Sequence, residues 1–387
     1  MDTPVRAVST LPGPSAVVVS AAPAAGRPPR EGRLAVIDGL RLVAALVVVV
    51  YHYTFRAPQV WGQPAPTLFP RATLLTQYGW LGVHLFFLIS GFVICMSAWG
   101  RDLGGFFVSR VVRLFPAYWF GVLATAAVLL AVPAPGQPRP LVTQVLVNLT
   151  MLQIPTHVPH IDGSYWSLWE ELHFYLLFAL LVWRGLSYRR VVLFCVLWTV
   201  ASVLASGSSD VVVHLVVGDE LSSFFIAGVA FYLMYRFGPN LLLWGIVGVS
   251  LALGLQRIHP AAMTMEGLGV HKHTWPGVVV VITVIYAVMA AVALGWLNWI
   301  RGRWLVVAGA LTYPLYLLHQ VIGYAVILHL HDRVPRWLLV AGLTAAMLVA
   351  AWLVHRVVER PLAPRLKRAL VSGLSGAAVD QRPRGHR

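Results

Sequence analysis

AVIDGLRLVAALVVVVYHYTF, residues 35–55, is the stretch on which the reading of the chain turns. It matches the roughly 20 apolar residues that a helix needs to cross a bilayer. Yet it carries Arg41 near one end and His52 near the other. Further runs of the same character follow at about 79–99, 112–132, 164–183, 190–206, 217–236, 240–256, 276–295, 304–328 and 336–356. Residues 141–153 suit an interfacial helix and are left out of the count. Of the 387 residues 58% are hydrophobic and 11% charged, against about 25% charged in a soluble globular chain. So few polar side chains could not cover a water-soluble surface. The 15 Trp, 13 Tyr and 16 Phe exclude a disordered chain, and two cysteines, Cys95 and Cys195, cannot make a disulfide scaffold or a Cys-based zinc site. The expected fold class is all-α: a polytopic membrane helix bundle of about ten transmembrane helices, multi-pass in the cell membrane.

The net charge of +15 is read as topology rather than as nucleic-acid affinity, because the basic residues sit between the apolar runs. With both termini cytoplasmic, 22 of the 29 Lys and Arg fall on the inner side and 7 on the outer, as the positive-inside rule asks of ten spans. Residues 1–32, rich in Ala, Pro, Ser and Arg, are expected to be a disordered cytoplasmic tail. The faint signal-like stretch at 16–25 is short, broken by Pro23 and followed by Arg27, Arg30 and Arg33. The transmembrane domain is bounded at 33–362, and 363–387 is expected to be a basic cytoplasmic tail.

Ionisable groups inside a span are costly, so each is a candidate for function. Arg41 and His52 are eleven residues, close to three turns, apart; their side chains share a face about 16 Å apart along the axis. The second run holds His84 and the small pair Ser90-Gly91, which suits close helix packing; nothing marks the nearby Cys95 as ionised. In FFVSRVVRLFPAYW, residues 106–119, Arg110 and Arg113 share one helical face at the inner surface. Two guanidinium forks so placed suit a phosphate-bearing ligand, or simply mark the inner side. The run DGSYWSLWEELHFYLLF, residues 162–178, places Glu170 and Glu171 about two turns inside the outer boundary with His173 beside them, one of the acids at about the depth of His52. A carboxylate that orients an imidazole is the generic base-activating pair. LTYPLYLLHQ, residues 311–320, carries Pro314, an expected kink, and His319 near mid-membrane. The outer loop groups His259, Glu266, His271 and His273 without a second defined ligand pair, and no metal is expected. Asn148-Leu149-Thr150 has a glycosylation pattern.

Taken together these pieces resemble the membrane-bound acyltransferase 3 family, over about residues 34–362. The matching elements are DGLR at Asp38–Arg41 with the Arg-x10-His spacing to His52, and GWLGV, LFF and ISGF between Gly79 and Phe92. SRVVRLFPAYW around Arg110 and Arg113 follows, then WSL, Glu and FY from Trp166 to Tyr175. TYPLYLLH, ending at His319, and ERP at Glu359–Pro361 close the series. The resemblance implies an O-acyltransferase that moves an acyl group, acetyl or another short one, from cytoplasmic acyl-CoA to an acceptor hydroxyl. Arg41 and His52 would be the essential pair and Arg110 and Arg113 the acyl-donor element. Glu171, five positions after the Trp, would be the matching acid and Glu170 an extra one. Many members have an acidic residue where this chain has His84. Some carry an additional soluble esterase-like domain; the expectation here is a short stand-alone member. Stand-alone members decorate antibiotics such as macrolides, sugars or glycolipids.

The expected partners are acyl-CoA as a co-substrate, a hydroxylated glycan or small-molecule acceptor and the lipid bilayer, with no permanently bound cofactor and no nucleic acid. His52 is expected to act as general base, with Glu171 orienting it or stabilising its charge, and Arg41 to bind the donor or stabilise the developing oxyanion. No activated Ser or Cys nucleophile is visible, and direct transfer needs none. The rival reading is a multi-span transporter or flippase, which also needs intramembrane charges and broken helices; the absence of a visible internal repeat counts mildly against it.

Overall fold

A computed structural model describes residues 34–132, 138–218, 220–267 and 274–380, the side chains of 265–267 and 374–380 excepted. Among them are ten long helices that match the ten apolar runs, and no strands. They are α1 (Ala35–Thr54), α2 (Gly82–Ala98), α3 (Leu103–Ala131), α4 (Trp166–Trp183), α5 (Tyr188–Ala205), α6 (Ser222–Phe237), α7 (Leu241–Gly267), α8 (Thr274–Ala293), α9 (Arg303–Leu330) and α10 (Arg336–Val354). A short helix, Val142–Leu149, lies where the interfacial helix was expected.

Nine helical stretches among the described residues are long and apolar enough to cross a membrane. The exception is α4, whose Glu170, Glu171 and His173 dilute its hydropathy although its 18 residues suffice in length. The chain is a multi-pass membrane protein. Outward faces carry exposed apolar side chains such as Val43, Leu123, Leu180, Leu197, Val280 and Leu353, as lipid contact requires.

Helix α6 is the axis of the bundle. It packs on α2, α5, α7 and α8, and 13 of its 16 residues are buried. Its approach to α2 depends on two glycines. A methyl group at Gly91 would overlap the Phe225 carbonyl oxygen, and one at Gly228 would overlap that of Leu88. The Ser90-Gly91 pair therefore does permit close packing, since only small residues let backbones meet this way. On the other side α1 packs along α9. There Gly309 and Gly323 leave room for Asp38 and Tyr53, which a Cβ at either glycine would strike.

After α10 a π-helical turn, His355–Glu359, leads into α11 (Arg360–Asp380). The chain is thus helical well past Val371. The leucines Leu362, Leu366 and Leu370, one turn apart, give this helix an apolar edge, and it packs against α3. Residues 1–32, the expected tail, lie outside the described residues, as do 381–387.

Candidate active site

The pairing of α1 with α9 brings two histidines together. His52 Nδ1 lies 3.0 Å from His319 Nε2, and the rings are 4.9 Å apart between centroids. The same Nδ1 lies 3.0 Å from the Val48 carbonyl oxygen, one turn back on its own helix. His319 is fully buried, and its Nδ1 lies 2.8 Å from the Tyr316 carbonyl oxygen. The hydroxyl of Tyr53, next to His52, donates to the His319 carbonyl at 2.8 Å.

The loop Asp162–Ser167 clamps this part of α9. Pro314 has no N–H to continue the helical ladder, and the loop supplies bonds just beyond it. Tyr165 donates its hydroxyl to the Leu317 carbonyl at 3.0 Å, and the Tyr316 hydroxyl donates to the Ser164 carbonyl at 3.1 Å and lies 2.7 Å from the Ser167 hydroxyl. Asp162 is fully buried. It accepts from the Ser164 amide at 2.8 Å, the Ser164 hydroxyl at 2.6 Å and the Val321 amide at 3.0 Å. Removing Asp162 by Asp162→Ala strands these buried donors at about 1–3 kcal/mol for each. Hydrogen exchange of the peptide spanning 316–324 should then lose much of its protection, while peptides from α5 and α7 stay unchanged.

Three cavities line up along the bundle. The largest, about 910 Å³, lies at the His52 end; His52, His84, Trp166, Glu220, Arg257 and Gln320 are among its walls. A second of about 310 Å³ lies at the Arg41 end, where Arg41, Arg101, Arg110, Arg113, Glu171 and Tyr175 line it. Between them is a constriction of about 40 Å³. It shares Arg41, Ser90, Glu171 and Tyr313 with the basic cavity, and Val83 and Tyr316 with the histidine cavity. Among the described residues no carboxylate lies within ion-pair distance of Arg41, Arg110 or Arg113. The Arg41 Nε is buried without a hydrogen-bond partner. Arg110 stands over the Tyr175 ring at 5.7 Å and Arg113 over Tyr313 at 6.0 Å. Four cations facing one acid make a cavity suited to a polyanion.

Arg110, Arg113 and Arg41 thus meet in one place, and His52 stands in another. Glu171 does not accompany His52. It accepts from the Ser90 hydroxyl at 2.8 Å and from the Tyr175 hydroxyl, and lines the basic cavity and the constriction. The reason is the depth at which α4 begins. The residues that lead into it, Ser164 and Tyr165, bond to α9 at Tyr316 and Leu317, half-way along that helix, so Glu171 lies deeper than a span starting at the boundary would place it. The residue that contacts His52 is His319. Its signal was its mid-span position, which ranks below that of His52 in the sequence because the kink at Pro314 has a purely architectural explanation.

The other residues singled out have local partners. His173 stacks on Trp169 and bonds the Val216 carbonyl oxygen at 2.9 Å. His84 lies edge-on to Trp80 and Phe224 with Nδ1 unpartnered. Cys95 and Cys195 are buried free thiols. Asn148 is fully buried and bonds Gln144, Pro159 and Ile161, which leaves its amide no room for a glycan. His271 and His273 lie outside the described residues. His355 Nδ1 meets Glu359 of the ERP element at 2.6 Å, on a turn packed against α3.

A family model described as an acyltransferase domain, acyltransferase 3, matches residues 34–356. The chain belongs to the acyltransferase 3 family. It is similar to acyltransferase MdmB of Streptomyces mycarofaciens, 26% identical over 408 residues that cover 92% of this chain and 99% of that protein. It also resembles a putative peptidoglycan O-acetyltransferase, YrhL, of Bacillus subtilis (strain 168), 31% identical over 96 residues, 23% of this chain and 12% of that one. Protein 2 in the picA locus of Rhizobium radiobacter is 33% identical over 117 residues, 28% of this chain and 52% of that protein. No solved structure matches. As an acyltransferase 3 member the chain is a membrane acyltransferase.

Proposed function

We propose that the protein is an O-acyltransferase that takes a short acyl group from acyl-CoA in the basic cavity and delivers it to an acceptor hydroxyl in the histidine cavity. The observation that carries the reading is the line of three cavities, with unpaired guanidinium groups at one end and a histidine at the other. Arg101, Arg110 and Arg113 would hold the CoA phosphates, and Arg41, beside the constriction, would hold the donor where its pantetheine arm enters. The thioester would pass between Val83, Phe86, Phe87 and Tyr316 toward His52. His52 would take the proton of the acceptor hydroxyl as its oxygen attacks the thioester carbonyl, and the departing thiolate of CoA would recover it. The acceptor we infer is a carbohydrate, glycolipid or secondary metabolite of the macrolide kind, whose bulk suits a cavity of about 910 Å³. The basic end would face the cytoplasm, with both termini on that side, as the charge balance favours.

The test is release of free CoA thiol by the protein in bilayer discs, given acetyl-CoA or propionyl-CoA and a panel of acceptors that includes a macrolide and a polysaccharide repeat. Release that needs an acceptor supports transfer; failure both to release CoA and to bind acyl-CoA overturns it. Two cavities meeting at a waist beside intramembrane charges also suit a transporter, and that reading predicts neither release nor binding. The double variant Arg110→Ala, Arg113→Ala removes two charge-assisted contacts of about 1.5–3 kcal/mol each. It should raise the KM for acetyl-CoA about 100-fold or more and leave the KM for the acceptor unchanged.

A further inference from the structure

The hydrogen bonds around His52 determine where its proton sits. A carbonyl oxygen can only accept, so His319 Nδ1, 2.8 Å from the Tyr316 carbonyl, carries a hydrogen. In the neutral ring Nε2 is then a bare acceptor, and it faces His52 Nδ1 at 3.0 Å. Two bare nitrogens at that separation would repel; the hydrogen between them belongs to His52. The second neighbour of His52 Nδ1, the Val48 carbonyl at 3.0 Å, demands the same assignment. His52 Nε2 makes no hydrogen bond among the described residues, and the ring lines the large cavity. We propose that His319 is the positioning residue of the site: it holds the hydrogen of neutral His52 on Nδ1 and leaves Nε2 as the nitrogen that takes the acceptor's proton. The inference rests on the reading of His52 as base.

The arrangement is supported from both helices. The Tyr316 carbonyl that fixes the His319 ring belongs to the residue whose hydroxyl is held by Ser164 and Ser167. The His319 backbone is held by Tyr53, the neighbour of His52. The lock therefore runs from the Asp162–Ser167 loop through α9 to α1. Its chemical use is to carry charge without a carboxylate. As the acceptor oxygen bonds to the thioester carbon, its proton moves to His52 Nε2, and the imidazolium so formed donates its Nδ1–H more strongly into the His319 lone pair. When the C–S bond breaks, the proton passes from Nε2 to the thiolate sulfur, and both histidines are neutral again.

The test needs neither donor nor acceptor, so it stands even if acyl transfer fails. The full chain is reconstituted in bilayers with 15N only in its histidine rings and studied by solid-state NMR at neutral pH. Spectra of His52→Asn and His319→Asn assign the two sites. The expected result is a His52 ring protonated at Nδ1 and bare at Nε2, with a nitrogen–nitrogen correlation from His52 Nδ1 to His319 Nε2. A His52 ring protonated at Nε2, or no correlation between the two rings, overturns the proposal. Its catalytic use is read from two variants in the CoA-release assay, with acetyl-CoA and the panel acceptor that turns over. His319→Ala should lower kcat by about 100-fold, a share of what base catalysis supplies, and leave the acceptor KM unchanged. His319→Gln, whose amide oxygen falls near the site of Nε2, should recover kcat to within about tenfold. A glutamine variant that is folded yet as slow as the alanine one refutes the positioning role.

Discussion

His52→Ala is expected to abolish acceptor-dependent release of CoA, a loss of about 10³-fold or more, in a protein that still folds. General base catalysis by a placed side chain contributes about 10²–10⁴. The nearest substitute, His319, is fully buried and is not among the walls of the large cavity, and its Nδ1 is bound to the Tyr316 carbonyl. Folding should survive because His52 is only half-buried and lines the large cavity, so the truncated side chain adds to an existing space rather than leaving a hole in the core. The measurement is CoA release beside acetyl-CoA binding and thermal unfolding of the same preparation. Unchanged binding and unfolding with lost release is the signature of a base. Release that persists in the variant would remove His52 from the chemistry.

Gly91→Leu is expected to yield no folded protein at all. The side chain would enter the contact between α2 and α6, where even its first carbon overlaps the Phe225 carbonyl oxygen and lies 3.1 Å from the Gly228 Cα. Both obstacles are backbone, so no rotamer change relieves them. Overpacking that displaces side chains costs about 1–3 kcal/mol, and here a whole helix has to move. That helix is α6, on which α2, α5, α7 and α8 all rest. Size-exclusion profiles in detergent check the outcome: the variant should aggregate. Gly342→Leu on α10 is the control, since nothing lies within 4 Å of a Cβ there, and it should elute as the parent does.

How far the sequence could be read depended on whether a signal lies along one helix or between helices. All ten long helices were legible, because nine are apolar runs of bilayer length and α4, though diluted by its acids, keeps that length. Arg41 and His52 were legible as a pair through their spacing on α1, and Arg110 and Arg113 through theirs on α3. The gathering of Arg41 with Arg110 and Arg113 was not, since nothing within one helix says which neighbour it faces. Glu171 shows the cost of judging depth from sequence. Counting turns from an assumed boundary set it level with His52, whereas the Asp162–Ser167 loop sinks to the middle of α9 and carries Glu171 down to Arg41 and Ser90. His319 failed in the opposite way: its signal was present, but the importance of a mid-span histidine beside a proline becomes visible only with the other imidazole in view.

The waist between the two cavities has a bioenergetic consequence. At about 40 Å³ it is far smaller than the cavities of about 910 and 310 Å³ that it joins. On the proposed reading the bulky nucleotide never leaves its own side, and only a slender arm bearing the acyl group is threaded through. The enzyme would then work as a vectorial device: a chemical group changes compartments while its carrier does not, and the ion gradients of the cell are spared the leak that an open pore would cause.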